Sequence, residues 1–395
     1  MQVYLDNAST TKMSKTAIDA MLPYFGEVYG NPSSLHSMGQ RAKEVLEAAR
    51  ESVARSLGAA PGEIYFTSGG SEADNQAILS ASVIGARKGK KHIVTTAFEH
   101  HAVLHTLSKL EKQGFEVTYL SVGKEGNVTA EQVAEAIRED TCLVTTMTAN
   151  NEIGSVLPIA EIGAVCRERK VLFHTDAVQA VGHLPMNVAA MNIDMLSLSA
   201  HKFHGPKGVG VLYAKKGIAL TNLIEGGAQE KGKRAGTENV AGVVGLAAAL
   251  KEATDNLEKN MKKVSALRDK LIKGLSVIPH SVLNGDKVNR LPGNVHFCFE
   301  GIEGESLLLL LDEFGVEASS GSACTSGSLD PSHVLLAIGH PHEIAHGSLR
   351  LTLSEYTTEE EVDYALKAIP QVVERLRNMS PIWRDKMNGL KPLLI

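Results

Sequence analysis

The chain has 395 residues, of which 43% are hydrophobic and 22% charged, with a formal net charge of −5. That length and balance can bury a substantial core and suit one large or two medium soluble domains. They exclude a global basic field for nucleic acid or anionic lipid, and no apolar run reaches the roughly 18 residues of a membrane span. The start, "MQVYLDNAST", lacks the basic region and apolar run of a signal peptide. Four cysteines, Cys142, Cys166, Cys298 and Cys324, show no CxxC pairing, which fits free thiols in a reducing cytoplasm better than disulfides or a zinc site.

In chain order, "AKEVLEAARESVARSLG" (Ala42 to Gly58) has helical spacing and a glycine stop. "EIYFTSGG" is a short strand entering a glycine turn. "SEADNQAILSASVIGARKG" is the next helix, with Ser71 as candidate N-cap and Glu72 and Asp74 as acids of its first turn. "KHIVTT", "EVTYLSV", "TCLVTTMTAN", "VLFHTDAV" and "DMLSLSAHK" are strands, interleaved with helices such as "TAEQVAEAIRED" and "PIAEIGAVCRERK". This alternation predicts an α/β domain with a mostly parallel sheet. From about Leu246 one long polar helix is expected as a connector. Beyond it, "GNVHFCFE", "ESLLLLLDEFG", "SLRLTLSEY" and a terminal helix give an α+β pattern.

Ligands of open parallel sheets sit at the carboxyl ends of the strands, and several of these strands end in polar residues. "FTSGGS" supplies Gly70 and Ser71 in a strand–turn–helix suited to an anion, though an ordinary βα turn reads the same way. Lys202 follows an apolar strand, where an amine is costly unless neutralised or bonded to an aldehyde. Asp176 ends another such strand and suits a protonated pyridine nitrogen, with a helix N-cap as its rival. His100 could stack on a ring or move protons, and its neighbour His101 could do neither from the same position. Together these residues describe a site for pyridoxal 5'-phosphate. The stretch "SSGSACTSGS", Ser319 to Ser328, sets Cys324 among small residues that predict flexible, exposed chain. Cys142 and Cys298 lie in strand-like, buried contexts, and Cys166 is expected to be partly exposed at a helix end.

The sequence resembles cysteine desulfurases of the nitrogen-fixation and iron–sulfur cluster type, in the long-loop group of the class V aminotransferase fold. The resemblance rests on "YLDNASTT", "GNPSSLH", "FTSGGSEADN", "EHHAVL", "NNEIG", "HTDAVQA", "SAHKFHGPKGVGVLY", "RAGTENV", "SSGSACTSGSLDPSHVL" and "HGSLRLTLSEYTTEEEVD". It implies an aspartate aminotransferase-like fold. A large domain, 16–260, would bind pyridoxal phosphate. A small α+β domain, 1–15 with 261–395, would carry a mobile cysteine loop at about 319–331. It implies that Lys202 carries the cofactor, Asp176 meets the ring nitrogen, Gln179 the ring oxygen, and His100 stacks on the ring and is catalytic. Gly70, Ser71, Ser199 and His201 would hold the phosphate, with Thr237 reaching it from the partner subunit of a homodimer. Asn31 and Arg350 would hold the substrate carboxylate, and Asn151 would lie near ring and substrate.

The implied reaction converts L-cysteine to L-alanine and leaves sulfur as a persulfide on Cys324. An iron–sulfur scaffold or other acceptor protein would receive it, with no resident metal, and Cys324 is the residue that would contact a cluster iron during transfer. The chain departs from the family pattern at "DNAST", at "SGGS", and at Glu355, where many members carry a basic residue. Two other readings use the same residues: a different class V activity, such as selenocysteine lyase or aminotransferase, and a non-catalytic scaffold. A transaminase would need no loop thiol, and a scaffold would need neither Lys202 nor Asp176.

Overall fold

The structure is a computed structural model and describes residues 1–321 and 331–395. Its largest sheet has seven strands in the order β2-β8-β7-β6-β5-β3-β4. In that order they are Ile64–Thr67, Gly210–Ala214, Met195–Ser199, Leu172–Asp176, Thr141–Thr145, His92–Thr96 and Glu116–Leu120. All pairings are parallel except those of β8, which runs antiparallel to both β2 and β7. Strands β3, β5 and β7 are buried along their whole length, as strands covered by helices on both faces must be. The register sets Asp176 opposite Ser197. The carboxyl ends of β2, β3, β5, β6 and β7 therefore open onto one edge.

A three-stranded antiparallel sheet, β12-β10-β9, lies in the second part of the chain: Ser348–Thr352, Asn294–Phe299 and Ser281–Leu283. Its core gathers Leu271, Phe297, Phe299, Leu307, Leu351 and Ile369. The first residues join this unit, because β1 (Val3–Tyr4) pairs in parallel with β11 (Val316–Glu317), and Val3 and Leu5 enter the same core. From there residues 6–10 run to the open edge of the large sheet.

Three elements differ from the sequence reading. The first long helix starts at Ser37, not Ala42, because His36 caps it by accepting the Gly39 N–H; Gly58 ends it at φ 69°. The connector is two helices, Val240–Asp255 and Leu257–Leu275, separated by Asn256 at φ −105°, ψ 8°. The first is largely buried, since its Ala, Val and Gly positions pack against the large sheet's helices. Strand β8 was not foreseen, because "HGPKGVGVLY" begins as a Gly-Pro turn.

The Glu355 departure has a structural partner. Glu355 Oε2 lies 3.1 Å from His204 Nε2. Burial works against the His204 charge, yet the carboxylate outweighs it and raises the His204 pKa. The pair ties the loop after Lys202 to the residues following β12.

Candidate active site

A cavity of about 320 Å³ opens at the carboxyl edge of the large sheet. Ten sequence-predicted residues line it: Gly70, Ser71, His100 and Asn151, then Asp176, Gln179, Ser199, His201 and Lys202, with Arg350 from β12. Each strand end delivers what its last residues dictate. β2 turns through Gly69 into the helix Gly70–Ala86. Ser71 is not the N-cap. Gly69 holds that position with no side-chain bond, so Ser71 sits inside the first turn and its hydroxyl is left for the cavity. The first N–H groups of a helix lack partners within it, and the dipole adds positive potential, so this end favours an anion. A Cβ at Gly70 would come within 2.5 Å of Val178 Cγ2, so only glycine lets the turn approach the loop after β6 this closely.

After β7 the chain enters a single turn, Ala200–Lys202. The Lys202 amine donates to the carbonyls of Ala8 at 2.6 Å and Ser9 at 2.9 Å. Gln179 Nε2 donates to the same Ala8 carbonyl at 3.0 Å. The N-terminal segment thus forms one wall. His201 Nδ1 is 3.1 Å from Thr10 Oγ1, and burial, then the Lys202 charge, push its pKa down to about 4.

Asp176 ends β6, where one carboxylate oxygen accepts the Val178 N–H at 2.9 Å. That bond caps a turn rather than a helix, so the expected rival role is only partly realised. Burial pushes the Asp176 pKa up to about 6, against the pull of the Lys202 charge. His100 caps the helix His101–Glu111, its Nδ1 accepting the Ala102 N–H at 3.1 Å. Burial and Lys202 push its pKa down to about 4. The acceptor role of Nδ1 and this low pKa make His100 neutral, with its proton on Nε2.

Arg350 is 2% exposed. Its Nη2 donates to Asp6 Oδ1 at 2.9 Å and Ser9 Oγ at 2.7 Å, and its Nη1 to the Asn151 carbonyl at 3.0 Å. Ser9, in the "DNAST" departure, therefore bridges Asp6 and Arg350, since its hydroxyl also donates to Asp6 Oδ1 at 2.8 Å. The structure does not bring Asn31 or Thr237 to this cavity. Asn31 is exposed and its Oδ1 accepts the Ser33 N–H at 2.9 Å; Thr237 is exposed.

Three buried acids in or beside the site were not assigned to it from sequence. Asp74, read there as a first-turn acid for the dipole, lines the cavity. Its position four residues after Gly70 puts it on the same helix face, a signal that was available. Glu99 is fully buried, and burial pushes its pKa up to about 8. Glu152 is buried and accepts a short hydrogen bond from Ser332.

Cys324 lies outside the described residues. The other three thiols are buried: Cys142 on β5, Cys298 on β10, and Cys166 on the helix Ile159–Arg169. Cys166 corrects the expectation of partial exposure. It is 0% exposed, because it faces the sheet while Arg167 and Arg169 continue toward the helix end. Burial pushes Cys142 up to about 11, and Cys166 and Cys298 up to about 12. Thiolate is the reactive form, so these three are poor nucleophiles at neutral pH. Native protein given brief iodoacetamide at pH 7.5 should carry label on Cys324 well before the other three; rapid labelling of Cys166 in folded protein would contradict its burial.

The comparisons with known proteins agree with this geometry. A profile of the aminotransferase class-V family matches residues 3–365. The cysteine desulfurase IscS of Clostridium botulinum is 54% identical over 391 residues, covering 98% of each chain. Among solved structures, a NifS-like protein superimposes with TM-score 0.89 at 39% identity, over 95% of this chain and 100% of its own. SspA in complex with cysteine superimposes with TM-score 0.80 at 37% identity, over 90% of this chain and 100% of its own. With its strand-end cavity, its mostly parallel sheet and a match over nearly its whole length, the chain belongs to the class V aminotransferase family.

Proposed function

We infer that this protein is a pyridoxal phosphate-dependent cysteine desulfurase: it takes L-cysteine to L-alanine and passes the sulfur through a persulfide on Cys324. The observation that carries the cofactor assignment is the pairing of Lys202 and Asp176 in one cavity with the N-terminus of the helix Gly70–Ala86. These residues fit the group. The helix start with Ser71, Ser199 and His201 suits a phosphate. Asp176 suits a protonated ring nitrogen, Gln179 the ring oxygen, and neutral His100 a ring face. When bound, pyridoxal phosphate supplies an electron-withdrawing ring that stabilises negative charge on the substrate.

The chain's own groups do the rest. Lys202 would hold the aldehyde end of the cofactor and its amine can carry a proton; its Nζ is held at the cavity wall by the carbonyls of Ala8 and Ser9. Arg350 grips the substrate carboxylate. Asp6 and Ser9 fix one edge of its guanidinium, so little side-chain entropy remains to be lost on binding. The Cys324 thiolate attacks the substrate sulfur: an S–S bond forms, the C–S bond breaks, and the electron pair left on carbon takes a proton to give alanine. The product persulfide suits a sulfur acceptor such as an iron–sulfur scaffold protein. The SspA structure, which holds cysteine, supports this substrate class.

Asp176→Ala tests the cofactor assignment. It is expected to lower turnover per bound cofactor on the order of 10²-fold, the size of losing one placed charge at a reacting group. Activity per bound cofactor at the wild-type level would reduce Asp176 to a turn cap.

A homodimer accompanies this reading, with the large unit at 16–260 and the small one at 1–15 and 261–395. Leu22, Phe25, Tyr29 and Leu35 are exposed by 60%, 66%, 71% and 94%, a run of large apolar side chains that a second copy would cover. Thr237 is exposed and outside its own chain's cavity, which suits a role in the partner's site. Mixing a Lys202 variant with a Thr237 variant should restore part of the activity through hybrid dimers. A fully active monomer in sedimentation would refute the arrangement.

A further inference from the structure

Asp74 has no role in the reading above, yet it lines the same cavity and is 1% exposed. Its Oδ1 has no hydrogen-bond partner among the described residues. One oxygen of Asp74, one of Asp176 and one nitrogen of His100 lie within 4.8 Å of one another. The groups facing Asp74 come from every neighbouring element. β6 brings Asp176 and His174, β7 brings Ser197, and the turn after β3 brings Glu99 and His100. Lys202 faces Asp176 from the turn after β7.

None of the nearby imidazoles supplies a compensating charge. His174 Nε2 is 3.6 Å from Asp74 Oδ1, but that ring is fully buried. It is committed to Thr145 Oγ1 at 2.8 Å and Ser197 Oγ at 3.0 Å, and burial holds its pKa near 3. His100 is neutral for the reasons given. Two buried carboxyls this close cannot both ionise cheaply, so one keeps a proton. Of the two, Asp176 has the N–H of Val178 and the attraction of Lys202, and Asp74 has neither. Burial and the Asp176 charge both raise the Asp74 pKa, with Ser197 opposing them.

We propose that Asp74 and Asp176 form a carboxyl–carboxylate pair holding one proton, resident on Asp74, which leaves a single negative charge on Asp176. Asp74 is then a positioning residue: it keeps the charge of the pair on Asp176, the carboxylate that would meet the ring nitrogen. The proposal rests on Asp176 having that role, but the proton pair exists in the cofactor-free protein and is tested there.

The test is infrared difference spectroscopy of cofactor-free protein at pH 7.5, comparing wild type with Asp74→Asn. Glu99, whose pKa the Asp176 charge also raises, is identified as the protonated-carboxyl band that persists in Asp74→Asn. The expected difference is a protonated-carboxyl C=O band lost from the variant, with no loss of carboxylate bands. A lost carboxylate band instead would overturn the proposal. Asp176→Asn supplies the second arm: removing the neighbouring charge should lower the pH at which the Asp74 band disappears by about one unit or more, a tenfold or larger change in its proton affinity. An Asp74 titration that ignores Asp176→Asn would equally overturn it. An Asp74 protonated by burial alone would lose the band in Asp74→Asn but would not shift in Asp176→Asn, so the second arm decides between a pair and a lone buried acid. Failure here leaves the Lys202 assignment standing, whereas wild-type activity per bound cofactor in Asp176→Ala would remove the ring-nitrogen role of Asp176 while the proton pair measured in the cofactor-free wild type stands.

Discussion

Lys202→Ala is expected to lose covalent attachment of the aldehyde cofactor and to lower turnover on the order of 10³-fold or more, because one amine both anchors the aldehyde and carries a proton. The phosphate cradle does not depend on this side chain. Gly70, Ser71, Ser199 and His201 reach the cavity from other positions, so the variant should still hold the cofactor non-covalently. Borohydride reduction of the wild type followed by peptide mapping should place the label on Lys202. Label on Lys207, which is exposed beyond the Gly-Pro turn, would overturn the assignment.

Cys324→Ser is expected to separate the two halves of the chemistry. Cofactor content and the spectral response to L-cysteine should stay near wild type, since every described group that lines the cavity is untouched. Sulfide release with dithiothreitol present should fall on the order of 10³-fold or more, because a serine hydroxyl is a far weaker nucleophile toward sulfur than a thiolate. No described cysteine can substitute: all three are buried, with pKa values pushed to about 11 or 12. Full desulfurase activity in this variant would refute the mechanism.

The strands that carry the site were legible because their apolar runs are buried on both faces and end in polar residues. β6 shows the rule, since "VLFHTD" turns polar after Phe173 and its last residue, Asp176, meets the cavity. Asp74 escaped although its spacing from Gly70 marks the same helix face, because it looked like a first-turn acid; the acid that does stay at that first turn, Glu72, pairs with Arg234 at 3.0 Å. The rest depended on facts that sequence alone does not print. Cys166 looked half exposed because it neighbours charged residues, yet its face of the helix packs on the core. Asp6 and Ser9 belong to a segment nearly 350 residues from Arg350 in the chain, so their ion pair and hydrogen bond are products of the tertiary fold. Strand β8 reverses direction beside β7 through a turn that local composition marks only as a turn.

The most direct test of the central claim is peptide mass spectrometry of the cofactor-loaded wild-type protein after brief exposure to L-cysteine. One extra sulfur on the peptide containing Cys324, with Cys142, Cys166 and Cys298 unchanged and alanine formed in equal amount, is the predicted result. Alanine formation with Cys324 unmodified, or a persulfide on Cys166 in its place, would contradict it.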